Sequence, residues 1–287
     1  MATGEKDDVT GVHTTGHEWD GVKELNNPLP RWWVSVFYAS VLFAIGYMIA
    51  YPAWPMIESA TKGVLGYSSR AELAETIEAH REMRAPWREK IAAAPLEEIV
   101  ADAELNQFAV RAGAATFALN CSQCHGSGAQ GFTGYPNLND DDWLWGGDLE
   151  AIHHTINHGV RNDTSDETRY SEMPAFGEIL EDEELAAVTQ TVLRLGGLDH
   201  DAALAEQGTE IYVDNCADCH GDAGMGDPDL GAPKLADAIW LFGGDADSIA
   251  KQIAYPSHGV MPAWGPRLDD AAVKELAIYV HSLGGGE

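Results

Sequence analysis

The segment Asn120-Cys-Ser-Gln-Cys-His-Gly126 recurs 95 positions later as Asn215-Cys-Ala-Asp-Cys-His-Gly221. Cys-x-x-Cys-His places two thiols one helical turn apart and an imidazole beside them, which is the signature for covalent attachment of haem c. Zinc fits less well, because compact Cys₄ sites place their pairs about 15–20 residues apart, whereas 91 residues separate Cys124 from Cys216. A redox Cys-x-x-Cys would accompany a βαβ pattern, which this sequence lacks. We therefore predict two covalent haems c, attached through four cysteines and each ligated by a histidine: Cys121, Cys124 and His125, then Cys216, Cys219 and His220.

The two motifs belong to an internal duplication that spans residues 108–287. Such a repeat has to be recognised before single residues are interpreted. Three further segments recur in the same order: Trp143–Asp148 as Trp240–Asp245, His158–Val160 as His258–Val260, and Met173–Gly177 as Met261–Gly265. Their spacing shows twelve extra residues in the first copy, Arg161 to Glu172. The insertion is polar and charged, as expected of a surface loop.

Apolar residues recur at steps of three and four positions at the start and end of the repeats, which predicts amphipathic helices. The three stripes are Leu105, Phe108, Ala112, Ala115 and Leu119; Leu185, Val188, Val192 and Leu195; and Val273, Leu276, Val280 and Leu283. Glycine pairs close the last two helices. No run in either copy is typical of a strand, so we predict two small all-helical modules, residues 108–198 and 199–287.

Met173 and Met261 are the predicted second axial ligands of the two irons. They lie 48 residues after His125 and 41 after His220, each in a Met-Pro-Ala-aromatic-Gly segment. Methionine/histidine ligation raises the reduction potential and closes the sixth position, as suits electron transfer. Ligation within each module is the default expectation, but two facing modules could also exchange their methionine loops.

Other polar residues near these motifs receive weaker assignments. His158 and His258 precede the methionine loops and are possible alternative ligands, although histidines in such places more often hydrogen-bond backbone or haem propionates. His153 and His154 have no counterpart in the second copy and receive no role. The run of three aspartates at 140–142 is interpreted as a solvated loop and helix start.

Residues 32–51 form an uncharged run of twenty residues between Pro30 and Pro52. About 20 apolar residues suffice for a helix to cross the hydrocarbon core. Aromatic side chains that favour the headgroup layer lie at its two ends: Trp32, Trp33, Tyr51 and Trp54. A buried core helix would carry a polar face, and a cleaved signal peptide would begin with a basic segment. Residues 1–30 instead hold two lysines against six acids, so we predict an uncleaved anchor at 32–52.

The segments on either side of the anchor carry no recognisable chemistry. Residues 1–31 form an N-terminal segment. Residues 53–107 are the predicted helical linker. From Ser69 to about Gln107 the sequence is rich in Ala, Glu and Arg, which predicts two or three short helices interrupted at Pro86 and Pro95. Basic residues near the two ends of the anchor are evenly matched, so they do not set its orientation.

The net charge of −29 is concentrated in the repeats, because residues 100–287 hold eight basic and 32 acidic groups. So acidic a surface would be repelled by phosphates, which argues against nucleic acid as a partner. It favours a basic protein partner, here a basic electron donor to the predicted haems, and adaptation to a saline habitat is the alternative explanation.

The segment Gly16-His-Glu-Trp-Asp-Gly-Val-Lys-Glu-Leu-Asn-Asn-Pro-Leu-Pro-Arg-Trp-Trp33 resembles the leader of the dihaem subunit of cbb3-type cytochrome c oxidase, CcoP or FixP. The order of anchor, linker and two haem modules extends the resemblance over the whole chain. The leader is specific to that family, whereas Cys-x-x-Cys-His and Met-Pro-Ala occur in many cytochromes c. Some members carry two spans, and this chain shows one.

This resemblance implies an all-α fold: one N-terminal transmembrane helix, then two tandem class I cytochrome c-like domains with the haem ligands predicted above. It also implies a subunit that passes electrons from a donor cytochrome c to a monohaem subunit and then to the haem–copper subunit that reduces oxygen. We find no clustered histidines within a span that would form an oxygen-reducing centre. Since haem c is attached outside the bacterial inner membrane, the haem domains are expected in the periplasm, residues 1–31 in the cytoplasm, and the single anchor in lipid.

Two other functions are compatible with the motifs. A membrane-anchored dihaem peroxidase would need one haem with an open sixth position, while both copies here retain Met-Pro-Ala. A free-standing anchored dihaem electron carrier, or the cytochrome subunit of a dehydrogenase, would share the haem modules, and only the leader argues against it.

Overall fold

The computed structural model describes residues 4–285, and the chain divides into two compact units, Met1–Glu82 and Met83–Glu287. The described residues are helix-rich, with one N-terminal helix that could cross a membrane followed by two tandem helical repeats. This architecture confirms the predicted all-α fold class.

The first unit begins with a β-hairpin that we did not predict. Strand β1, Thr14–Trp19, pairs antiparallel with β2, Val22–Leu25, and Trp19 lies opposite Val22. The two turn residues, Asp20 and Gly21, have φ angles of 47° and 83°. Asp-Gly with both φ angles positive is the favoured two-residue hairpin turn, because its twist matches that of the strands. The signal was therefore present in the sequence.

Helix α1, Arg31–Ala50, follows the hairpin and has no buried residue. Among residues 4–285 it is the one helix long and apolar enough to cross a membrane. Its backbone groups are satisfied within the helix, which is the condition for a span in hydrocarbon. Its bounds lie within two residues of the predicted anchor.

The predicted break at Pro86 is wrong. Helix α2, Ser69–Ala93, continues through Pro86, and only Pro95 begins a new helix, α3, Leu96–Ala101. A proline inside a helix loses one hydrogen bond and strains the preceding turn, at a cost of about 3 kcal/mol. Packing offsets this cost, because Ile91, beyond the proline, is fully buried. Lys274 Nζ also donates to the carbonyl oxygens of Ala92 and Ala94, 2.9 and 3.0 Å away, at the end of α2.

The second unit contains eight more helices among its described residues. They are α4 Ala103–Asn120, α5 Ser122–His125, α6 Leu149–His158, α7 Asp182–Leu195, α8 Ala202–Asn215, α9 Ala217–His220, α10 Ala246–Ala254 and α11 Asp270–His281. A short 3₁₀ turn, Phe176–Glu178, precedes α7. Each cysteine motif therefore forms a one-turn helix of its own.

The two repeats exchange their last helices. Helix α11, from the second repeat, packs against α4 and α6 of the first, and α7, from the first repeat, packs against α8 and α10 of the second. The buried side chains follow this exchange in two clusters: Phe117, Ile152 and Ile156 with Val273, Leu276 and Val280, and Tyr212, Ile249 and Ile253 with Val188 and Val192. Each repeat is therefore covered by the last helix of the other, whereas the predicted bounds 108–198 and 199–287 follow the duplication in the sequence.

A glycine lies at each of the two exchanged helix crossings. A Cβ on Gly113 of α4 would lie 2.1 Å from the carbonyl oxygen of Glu275 in α11. A Cβ on Gly208 of α8 would lie 2.2 Å from the carbonyl oxygen of Ala187 in α7. Only glycine lets two helix backbones approach this closely. The same device is therefore used twice, once in each crossed pair.

The apolar stripe predicted for α4 was partly wrong. The line that faces α11 is Ala109, Gly113 and Phe117, all buried, whereas Leu119 is 75% exposed. A search for large apolar residues misses this line, because two of its three members are small. The stripes predicted for the other two helices are confirmed, since Val188, Val192, Val273, Leu276 and Val280 are all buried.

The predicted linker contributes a third cluster to the second unit. Ile91, Leu96 and Ile99 are buried together with Ala109 of α4 and with Ala271 and Ile278 of α11. Arg88 Nε donates to Oε1 of the buried Glu275 at 3.3 Å. Burial raises the pKa of Glu275, and the positive charge of Arg88 opposes that shift. The part of the predicted linker that begins at Met83 and runs through α3 thus packs against the α4–α11 pair.

Replacement of Gly208 by alanine tests the crossing. At an exposed helical position this change stabilises by about 1 kcal/mol, whereas at the crossing we expect overpacking to destabilise by about 1–3 kcal/mol. The melting temperature of the purified chain, followed by circular dichroism, should therefore fall. Gln207→Ala, at the exposed neighbouring position of α8, is the control and should change little. A Gly208→Ala chain that melts with or above this control would contradict the crossing.

Candidate functional site

Each cysteine motif presents two thiols and an imidazole from a single helical turn. Helix α4 ends at Asn120, and the backbone N–H of His125 donates to the carbonyl of Cys121 at 2.9 Å, which closes the turn α5. Cys121 is half-buried and Cys124 exposed. The second motif repeats the arrangement, with His220 N donating to Cys216 O at 2.9 Å. None of the four cysteines forms a disulfide.

A proline carbonyl orients each histidine. His125 Nδ1 lies 3.0 Å from the carbonyl oxygen of Pro136, and His220 Nδ1 lies 2.9 Å from that of Pro233. Since a carbonyl can only accept, Nδ1 carries the hydrogen, which leaves Nε2 with the lone pair that binds a metal. This role was not predicted, although a Pro-x-Leu segment follows each motif, 11 residues after His125 and 13 residues after His220.

Burial shifts the pKa values of the histidine and the first cysteine of each motif in the direction that favours their neutral forms. Desolvation lowers the pKa of His125 and His220, and the hydrogen bond to the proline carbonyl only partly opposes it. The imidazoles are therefore neutral, as iron ligation requires. Burial also raises the pKa of Cys121 and of Cys216 to about 11. Both thiols are therefore protonated at neutral pH, whereas a redox-active cysteine needs a lowered pKa.

Met261 lies beside the first motif, although it comes from the second repeat. It packs, like Cys121, against the cluster built around Phe117 and Ile156. Two hydrogen bonds of 3.0 Å, between the backbone groups of Met261 and Val160, hold its loop against the first repeat.

Met173 lies correspondingly beside the second motif. It packs against the cluster that contains Cys216, Tyr212 and Ile253. The methionine of each repeat therefore packs beside the cysteine motif of the other repeat: Met261 near Cys121, and Met173 near Cys216. Of the two arrangements that the sequence left open, the packing favours the exchanged one.

The residues around the second motif also include an unsatisfied donor. Trp240 packs against the same cluster as Met173, and its indole Nε1 is buried without a hydrogen-bond partner among the described residues. A buried indole N–H normally finds an acceptor, and haem carries carboxylates that can accept. Together with the cysteine thiols and the oriented imidazole, this donor fits haem c.

His158 and His258 belong to neither predicted ligand set. His158 ends α6, its Nδ1 lies 2.9 Å from Ser165 Oγ, and its Nε2 lies 3.0 Å from Asn157 Nδ2. His258 is exposed in the loop before Met261. Hydrogen bonding by His158 is thus directed to polar side chains.

Comparison with known proteins agrees with this geometry. Residues 11–58 match the family model for the N-terminal domain of cytochrome oxidase-cbb3, FixP, and residues 108–190 and 203–280 match that for cytochrome c oxidase, cbb3-type, subunit III. The chain belongs to the FixP/CcoP family of cbb3-type cytochrome c oxidase subunits. The resemblance that we drew from the leader is therefore confirmed, and membership implies haem c as the cofactor.

Relatives in this family match the chain along nearly its whole length. The FixP subunit of Sinorhizobium medicae is 57% identical over 281 residues, which cover 98% of this chain and 97% of that protein. The CcoP subunit of Cereibacter sphaeroides is 54% identical over 276 residues, 96% of this chain and 95% of that protein. The FixP subunit of Bradyrhizobium diazoefficiens is 48% identical, with 99% and 98% covered.

An acidic contact joins the loops of the two repeats near these sites. Burial raises the pKa of Asp142 to about 6, and the negative charges of Asp237 and Asp140 add to the shift. Lys234 Nζ lies 3.8 Å from Asp237 and compensates the contact only in part. Our interpretation of 140–142 as a solvated loop is therefore wrong for Asp142, which is half-buried.

Replacement of Asp142 by asparagine should stabilise the protein in a pH-dependent way. Because the pKa is raised to about 6 in the folded chain, the folded state holds the proton more tightly, and stability is lost as the pH rises through that value. Asp142→Asn should therefore raise the melting temperature at pH ~7.5, and this gain should shrink at pH ~5. The exposed Asp141→Asn is the control. An equal gain at both pH values would refute the assignment.

Proposed function

We propose that this chain is the electron-accepting dihaem subunit of a cbb3-type oxidase complex, which takes electrons from a donor cytochrome c and passes them toward the catalytic core. The observation that supports the proposal is the packing of each methionine beside the cysteine motif of the opposite repeat. Each site would then combine two thiols, one imidazole whose Nε2 is free of the proline carbonyl, and one methionine. Two such sets in one compact unit suit transfer from one to the other.

The ligand assignment follows the packing. Cys121 and Cys124 would hold one haem c, with His125 and Met261 on its iron; the second set would hold the other in the same way. Haem c, when bound, alternates between ferric and ferrous iron and so carries one electron at a time. Met173 and Met261 would close both sixth positions, which argues against a peroxidase, because peroxide would need an open position.

The fold holds the two sets in one body. The exchanged helices α7 and α11 bury their apolar faces in the opposite repeat. A backbone hydrogen bond of 2.8 Å from Gly134 to Leu241 joins loops of the two repeats. A change in their separation would break these contacts, so the chain's own packing fixes the distance over which an electron passes. A free-standing carrier would not need the family's N-terminal domain.

The surroundings of the complex follow from charge and from the anchor. Residues 100–287 carry eight basic and 32 acidic groups, and opposite charge on a basic donor would speed its association. Helix α1 would lie in the lipid of the bacterial inner membrane, with the haem domains in the periplasm. The monohaem and haem–copper subunits would be its partners, since this chain's ligand sets serve electron transfer rather than oxygen reduction.

Isolation of the chain with its partners tests this function. The chain, extracted in mild detergent through a C-terminal tag, should bring down the monohaem and haem–copper subunits and should reduce oxygen when supplied with a reduced basic cytochrome c. The rate should fall as ionic strength rises, because salt screens the attraction. Recovery of the chain alone, without oxygen reduction, would refute the assignment, and a flat salt response would refute the basic donor.

The exchanged ligation can be tested one haem at a time. In a chain that carries Cys121→Ala and Cys124→Ala, only the second site binds haem covalently. Met173→Leu should then remove the methionine-to-iron charge-transfer band of the oxidised protein, whereas Met261→Leu should leave it. Leucine keeps the apolar volume but cannot ligate, and Met225→Leu, at a position 58% exposed, is the control. Loss of the band in Met261→Leu would show ligation within each repeat instead.

A further inference from the structure

Three side chains that the haem sites do not use form a separate cluster in the first repeat. His154, His158 and Glu167 each offer one ligand atom, and these atoms lie within 4.8 Å of one another. His158 Nε2 is 3.7 Å from Glu167 Oε2, and the rings of His154 and His158 are 4.6 Å apart. Two imidazoles and a carboxylate are a donor set that zinc takes in proteins.

Helix α6 presents the two histidines together. They are four residues apart, so they project from the same face one turn from each other, and this spacing is the one that helices use to chelate a divalent metal. Ile152 and Ile156 occupy a different face, which is buried in the first cluster. The face of α6 that carries His154 and His158 is therefore separate from the face that is buried in the first cluster.

Hydrogen bonds prepare one histidine and leave the other unsatisfied. His158 Nδ1 lies 2.9 Å from Ser165 Oγ, and donation to this hydroxyl leaves the Nε2 lone pair toward Glu167, as supporting residues do for metal-bound imidazoles. Asn157 Nδ2 now lies 3.0 Å from Nε2, and a metal would replace that contact. His154 Nδ1 is buried and has no hydrogen-bond partner among residues 4–285.

The twelve-residue insertion supplies the third ligand. Backbone hydrogen bonds from Arg161 to Arg169 and from Arg169 to Gly159, of 2.8 and 3.2 Å, fold the insertion back beside the end of α6. Counted from the N-caps Asp148 and Asp245, Lys251 takes the place of His154, and His258, the counterpart of His158 in the repeat, lies beyond the end of α10 in an exposed loop. The second repeat also lacks the insertion, so the cluster is confined to the first.

The histidines face a cavity of about 550 Å³ with an acidic lining. The lining includes Asp148, Glu150 and Asp229, and one cation, Arg169. Arg169 is engaged elsewhere, because its Nε donates to Thr155 Oγ1 at 3.0 Å and its guanidinium lies 5.6 Å from the ring centre of Trp145. The acidic excess favours a positively charged ligand.

We propose that His154, His158 and Glu167 bind a divalent transition-metal ion of the Zn²⁺ class, with a fourth position open to water in the cavity. Zinc holds imidazole nitrogen and carboxylate oxygen at about 2.0–2.2 Å, and Glu167, which is exposed, is free to close on the ion. Cu²⁺ would bind the same donors more tightly. The ion would join the insertion to α6 six residues ahead of Met173.

Zinc binding to the haem-loaded full chain, prepared without a histidine tag and treated with a chelator, tests the site. Equilibrium dialysis against Zn²⁺ should show one more bound ion per wild-type chain than per His154→Gln/His158→Gln chain. Glu167→Gln should weaken that site about tenfold or more, since even supporting residues change metal affinity about 10–100-fold. X-ray absorption at the zinc edge should show two imidazole nitrogens at about 2.0–2.1 Å.

His153→Gln is the matched control, because this histidine neighbours the cluster on α6 but contributes no ligand to it. It should bind zinc as the wild type does, and the haem spectra of all variants should stay unchanged. If the double histidine variant misfolds, the Glu167→Gln variant still tests the site, because the exposed Glu167 side chain contributes to no core. Equal zinc binding by wild type and Glu167→Gln, or a zinc spectrum without imidazole, would overturn the proposal.

Discussion

The contact between helix backbones at Gly113 and Gly208 is the constraint on which the second unit depends. At each crossing a helix of one repeat touches a helix of the other with no side chain between them. Because α7 and α11 each pack against the opposite repeat, the methionine loops that precede them also lie beside the opposite repeat. The ligand sets, the two cores and the joined loops all follow from this one exchange.

The chemistry of the sites was largely visible in the sequence, because it resides in short motifs whose spacing is local. The two Cys-x-x-Cys-His segments, both methionines and the apolar anchor were predicted from residues alone. The exchange was not, because the period of a helix shows which face is apolar and not which helix will cover it. The apolar stripe predicted for α4 was partly wrong for a related reason. Ala109 and Gly113 lie on the buried face toward α11, but such small residues contribute little to an apolar pattern.

Two other features were not predicted: the continuity of α2 through Pro86, and the hydrogen bonds that orient the histidines of the two cysteine motifs. Pro86 is tolerated within α2 because tertiary contacts made by later residues, Ile91 and Lys274 among them, hold the helix beyond it. The oriented tautomers of His125 and His220 depend on carbonyl groups 11 and 13 residues further along. A backbone carbonyl has no side-chain signature, so only the repeated proline marked its place.

The exchange also orders events during synthesis. Helix α11 begins 145 positions after His125, and until it arrives the apolar face of α4 and α6 has no cover from it. The core beside the first cysteine motif therefore stays incomplete until α11 has been synthesised, although N-terminal domains usually fold first. The second motif, by contrast, follows its covering helix α7. The first motif in the sequence is therefore the later of the two to be covered by its last helix.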